Sequence, residues 1–143
     1  MRAWRWVKRQ LGTIDGPVIA YGESVGGTLA ALLAERGFVA AAVVDSPVPN
    51  FLRWSPEPGY WRKLHMTRAK RRFLSPALHQ SRRGILVYAS PSDDIVPFAQ
   101  NRRWTHRARK VRLRRYLGGH IGSGAVYERN LQEGFAWLSK NAP

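Results

Sequence analysis

Cysteine is absent from the 143 residues, which excludes disulfides, thiolate metal sites and a cysteine nucleophile together. No apolar run approaches the roughly 18 residues of a membrane span. The Arg-rich first ten residues are not followed by the apolar segment of a secretory signal, so a cytoplasmic location is the expectation. Internal repeats and low-complexity tracts are also lacking. Negative charge is scarce: 9 Asp plus Glu stand against 24 Lys plus Arg, giving a formal net charge of +15. Such a surface adsorbs polyanions non-specifically. Charge alone does not make a nucleic-acid reader, and an arginine-rich solvated face is the plainer reading.

What is present is ordinary for a folded domain: 44% hydrophobic and 23% charged residues, at a length that supports one core. We read residues 1–143 as a single domain. Segment 2–11 places Trp4, Val7 and Leu11 at helical spacing against basic residues, an amphipathic helix. After the Asp15-Gly16-Pro17 turn, 18–21 (VIAY), 38–44 (FVAAAVV) and 84–90 (GILVYAS) are short continuous apolar runs, as in strands covered on both faces. Segment 111–116 (VRLRRY) alternates and suits a sheet edge guarded by Arg112 and Arg114. Helices are expected at 25–36, stopped by Gly37, at 97–108 behind Pro97, and at 124–140, where Val126, Leu131, Phe135 and Leu138 mark one face. The proline- and aromatic-rich stretch 46–83 is a short cap-like insertion of loops with one or two helices. Strand and helix alternating in this way is the sign of an α/β fold with about four parallel strands between helices, a three-layer arrangement.

Chemistry concentrates at three strand ends. Gly22-Glu23-Ser24-Val25-Gly26 lies between a buried strand and an Ala-rich helix. A serine at so sharp a turn is lifted clear of the sheet, and glycines two residues either side avoid collisions. The turn also leaves the first helical amides unpaired, so the Val25 N–H faces outward as a donor to an oxyanion. A serine nucleophile needs a base and an orienting carboxylate. Asp93, in Ser90-Pro91-Ser92-Asp93-Asp94-Ile95-Val96-Pro97, follows the third strand, and His120, in Gly118-Gly119-His120-Ile121-Gly122, follows the fourth. Sites in parallel sheets form at the carboxyl ends of strands, where all three fall.

These motifs, in the order Ser, Asp, His, resemble an α/β-hydrolase from about Gly16 onward, close to the esterase and prolyl-oligopeptidase-like branches. The likeness is to the C-terminal half of that family, hence a truncated α/β-hydrolase fold. It implies Ser24 as nucleophile, His120 as base and Asp93 as acid, because the family acid precedes a Val-Pro pair by three residues. It also implies an ester substrate, a Val25 amide in the oxyanion hole and no cofactor. Phe51, Trp54 and Tyr60 are candidate walls for an acyl or aryl group; Glu23 is a candidate flanking contact, with an exposed carboxylate as the plainer reading. Asp94 is read as a cap for the helix near Pro97. His65, His79 and His106 read as surface residues, and no metal is expected.

The family half that precedes the nucleophile strand, with its second oxyanion donor, has no counterpart before Ser24. Crossovers stepping in one direction should put their helices on one sheet face, leave the other to the terminal helix, and leave strand 18–21 as an apolar edge. A homodimer is therefore expected. A prolyl-oligopeptidase-like peptidase, and a non-catalytic half-hydrolase binding a polyanion or a protein through its basic surface, are the alternative readings.

Overall fold

A computed structural model describes residues 9, 12 and 16–141. The helix expected over 2–11, with Trp4, Val7 and Leu11, lies almost wholly outside the described residues. Strands β1 (Ile19–Glu23), β2 (Ala41–Asp45), β3 (Gly84–Ala89) and β4 (Val111–Arg115) form one parallel sheet in the order β1-β2-β3-β4. Helix α1 (Ser24–Glu35) joins β1 to β2. The β2–β3 connection carries α2 (Tyr60–Lys63), α3 (Arg68–Phe73) and a 3-10 turn at Pro76–Leu78. Helix α4 (Phe98–Arg107) precedes β4, and α5 (Ala125–Asn141) follows it.

Each strand joins the next on the same side, so right-handed crossovers stack α1 and α4 on one face. There Ala30, Ala31 and Ala34 of α1 and Trp104 of α4 pack on Ala42, Val44, Ile85, Val87 and Val111. The alanines let helix and sheet approach closely, while Trp104 fills the space beside β4. Helix α1 ends as the sequence suggests: Gly37 adopts φ 76°, and its N–H reaches Ala34 O at 3.0 Å.

The opposite face is covered by α5, whose Leu138 packs with Ala41, Val43, Leu86, Tyr88 and Tyr116. Two details depart from the expected pattern. The inward stripe of α5 is Asn130, Gly134 and Leu138, with Val126 and Trp137 beside it, whereas Phe135 is 53% exposed. Gly134 explains the rotation. A side chain there would come within 2.9 Å of Val43 Cγ1, so the glycine is the point of closest approach and Phe135, about 100° further round, faces outward. Second, Pro97 occupies the position before α4, and no side chain caps that helix; Asp94 is exposed and does not perform the capping assigned to it.

Among the described residues β1 pairs only with β2, which makes it a sheet edge. Val18, Ile19 and Ala20 are half-buried and Tyr21 is 36% exposed. No helix among the described residues is long and apolar enough to cross a membrane.

Candidate active site

Register sets up the site. Glu23, Asp45 and Tyr88 are aligned partners across β1, β2 and β3, so the residues just beyond them emerge side by side at the carboxyl edge. Ser24 is the first residue of α1 and has φ 49°, a left-handed conformation rare outside glycine. Two glycines permit the turn, though not the two flanking positions expected. A side chain at Gly22 would lie 2.5 Å from Gly26 O, and one at Gly27 would lie 2.9 Å from Gly22 O. At Gly26 nothing lies within 4 Å. The close approach is between the backbones of 22 and 26–27, and Gly26 contributes its main chain rather than its missing side chain.

His120 Nε2 lies 2.8 Å from Ser24 Oγ, and its Nδ1 lies 3.0 Å from both carboxylate oxygens of Asp93. The Asp93 side chain is fully buried and that of His120 is 13% exposed. Asp93 Oδ1 also accepts from Ile95 N at 2.9 Å and Val96 N at 2.8 Å. These two amides fix the carboxylate toward His120 and keep it from swinging into solvent. Asp94, the neighbouring carboxylate, points into solvent. Val25, the second residue of α1, has no possible acceptor for its N–H within the helix, and its side chain is exposed. Glu23 Oε1 accepts from Tyr21 Oη at 2.7 Å, so this carboxylate is engaged along the sheet edge beside the serine.

The histidine loop is held from below by a buried network that sequence reasoning missed. Tyr116 Oη donates toward His120 O at 3.1 Å and Gly119 O at 3.3 Å, and contacts Ser46 Oγ at 2.9 Å. Ser46, itself at φ 45°, also bonds Asp45 Oδ1 at 3.1 Å. Burial pushes the Asp45 carboxyl above the usual carboxylate range, with hydrogen bonds from Tyr116, Ser46 and Asn130 pulling the other way. Burial likewise pushes the Tyr116 phenol well up, so it remains a protonated donor. Ser90 Oγ donates to Gly118 O and accepts from Ser92 N, which ties the acid loop to the histidine loop. A lone Asp closing an otherwise apolar strand was the available signal for this network.

Phe51 and Trp54 are buried with Val48 and Val96, and Tyr60 and Trp61 pack at the margin in edge-to-face contacts. Trp54 Nε1 donates to Ile95 O at 2.8 Å. Thus Phe51 and Trp54 support the Asp93 loop from behind, while Tyr60 keeps part of its ring in solvent. His65, His79 and His106 are exposed and lie on other segments.

No family model matches the sequence, and no curated protein matches it. Solved structures do. The Thermogutta terrifontis esterase 2, in a form phosphonylated by sarin, superposes with a TM-score of 0.79 at 21% identity, over 99% of this chain and 65% of that one. A butyrate-bound structure of the same esterase gives 0.73 at 21% identity, over 99% and 64%. An acylaminoacyl peptidase in complex with a chloromethyl ketone gives 0.75 at 17% identity, over 96% of this chain and 26% of that one. The chain thus spans about two thirds of the length of the esterases it resembles. Four parallel strands, helices on both faces and these superpositions together establish that the chain has the α/β-hydrolase fold in shortened form.

Proposed function

We propose that the chain is a serine hydrolase acting on carboxylic esters, with Ser24 as nucleophile. The observation that carries the reading is the continuous contact from Ser24 Oγ through the His120 imidazole to the buried Asp93 carboxylate. In the first step Ser24 Oγ bonds to the acyl carbon, its proton passes to His120 Nε2, and the carbonyl electrons move onto oxygen. The Val25 N–H donates to that oxyanion, aided by the positive end of α1. Collapse expels the alcohol, which takes the proton from His120. Water, deprotonated by His120, then releases the acid and restores Ser24. Asp93 holds the proton on Nδ1, leaving Nε2 free to accept.

The acyl group is assigned to the open side of the elbow, against Tyr60 at the margin of the aromatic cluster. An esterase that binds butyrate and is phosphonylated at similar fold geometry supports a short acyl chain. The acylaminoacyl peptidase neighbour supports a second reading, in which the leaving group is an amine. Turnover of aryl butyrate and of an acylaminoacyl anilide by parent and Ser24→Ala protein tests both. The expected result is ester turnover in the parent, lower by at least about 10⁴-fold in the variant at an unchanged melting temperature. Equal turnover by the two proteins would remove Ser24 from the mechanism.

A further inference from the structure

The basic residues are not spread evenly, and one group of them lines a cleft at the end of the sheet remote from Ser24. The cleft, about 380 Å³, is bounded by Arg82, Arg83, Arg109, Lys110 and Arg112, with Gly84 as its floor and Trp137 as a wall. It lies where β3 and β4 begin. The Ser24 side chain emerges where strands end, roughly 17 Å away along a five-residue strand. Its volume falls within the range of about 300–1,000 Å³ seen for small-molecule sites.

Five cations share this space, and none is within salt-bridge distance of a carboxylate among the described residues. Two are anchored rather than free. Lys110 Nζ donates to Arg82 O at 2.9 Å, and Arg112 Nη1 donates to Arg109 O at 3.3 Å, while Ile85 N bonds Lys110 O at 2.9 Å. The Lys110–Arg82 and Ile85–Lys110 contacts tie the start of β3 to the start of β4, and the Arg112–Arg109 contact is local to β4, so the cationic groups are held together despite mutual repulsion. Like charges fixed in one cleft raise the energy of the empty site and favour any anion that enters. Arginine supplies paired N–H donors that match phosphate oxygens. Trp137 adds an indole ring: its Cη2 edge closes on Gly84, where a side chain would come within 2.8 Å.

We propose that this cleft binds a nucleoside polyphosphate, the phosphates on the arginines and the base against Trp137. The assignment is independent of the esterase reading. A second basic cleft offers an internal contrast. Arg102, Arg103 and His106 line it along the exposed face of α4, with no indole ring and all three side chains on one helix. Removing an arginine pair from either cleft lowers the net charge by the same amount, so adsorption governed by net charge falls equally, whereas binding at a built site does not.

Equilibrium dialysis of the whole chain with ATP and with tripolyphosphate, at about 150 mM salt to screen surface charge, decides the matter. ATP is expected to bind one per chain. Arg82→Ala with Arg112→Ala should weaken it by at least about 30-fold, since each removes a charge-assisted phosphate contact. Arg102→Ala with Arg103→Ala removes the same charge and should weaken it less than about threefold. Trp137→Leu should weaken ATP roughly tenfold, a stacking contribution, and leave tripolyphosphate unchanged. The Ser24→Ala protein should bind as the parent does. Absence of ATP binding, or equal losses from the two arginine pairs, would overturn the site; equal effects of Trp137→Leu on both probes would overturn the nucleoside part.

Discussion

Replacing Gly22 with alanine tests the elbow more sharply than removing any reacting group, because it adds one methyl and no chemistry. The added Cβ would sit 2.5 Å from Gly26 O, 2.6 Å from Gly26 C and 2.9 Å from Gly27 N, all backbone atoms. Ordinary contact begins near 3.4 Å, so strand end and helix start must separate by up to about 0.9 Å. Ser24 lies between those segments and its Oγ to Nε2 distance is 2.8 Å, leaving no slack for such a shift. Misplacing a reacting atom by about 1 Å costs on the order of 100-fold in rate. Gly22→Ala should therefore lose about 100-fold or more in kcat on an aryl ester, with stability lowered by about 1–3 kcal/mol through overpacking and seen as a lower melting temperature. Gly26→Ala is the control. It meets open space inside a helix, where alanine is favoured by about 0.5–1 kcal/mol, so it should raise the melting temperature and keep turnover within severalfold. Near-parental turnover in Gly22→Ala, or a larger loss in Gly26→Ala, would refute the account of the turn.

Asp93→Asn should lower kcat by about 10⁴-fold, because an amide facing Nδ1 no longer holds the tautomer that leaves Nε2 free, while Asp94→Asn, exposed, should cost less than about threefold; the reverse ranking would show that the acid has been misassigned. Asp45 contributes a pH dependence to stability. Its folded-state pKa is raised, so its contribution is fully present below the ordinary value of 3.8 and is lost as pH rises through the raised one. Thermal melts of Asp45→Asn and parent should accordingly diverge in favour of the variant as pH rises from 3.5, and a difference constant with pH would contradict the burial argument. The β1 edge should pair with a second chain: sedimentation at micromolar concentration and moderate salt should give a dimer, Ile19→Lys a monomer, and a compact parental monomer would refute the pairing.

Most of the sheet and the order of its strands were legible because parallel strands covered on both faces read as unbroken apolar runs, as 84–90 does for β3. Ser24, Asp93 and His120 were legible because each terminates or follows such a run, and parallel strands in sequential order must bring those ends together. Details decided by close packing were not. Nothing in the periodicity of α5 distinguishes Phe135 from Leu138 until Gly134 meets Val43. Gly26 and Gly27 look alike in sequence, and only the return of the helix toward Gly22 separates them. Phe51 and Trp54 are the residue types that line apolar sites and equally the types that fill small cores, and burial decided for the core. The Asp45–Ser46–Tyr116 network depends on residues 70 positions apart, a distance over which spacing carries no information.

Labelling with a fluorophosphonate asks whether Ser24 is an activated nucleophile without any knowledge of the natural substrate. Ser24 Oγ should bond to phosphorus as fluoride leaves and His120 takes the proton, so mass spectrometry should find one adduct per chain, on the peptide containing Ser24. His120→Ala should slow its formation by several orders of magnitude. No adduct, an adduct on another hydroxyl, or an undiminished rate in His120→Ala would contradict the assignment of Ser24 as an activated nucleophile.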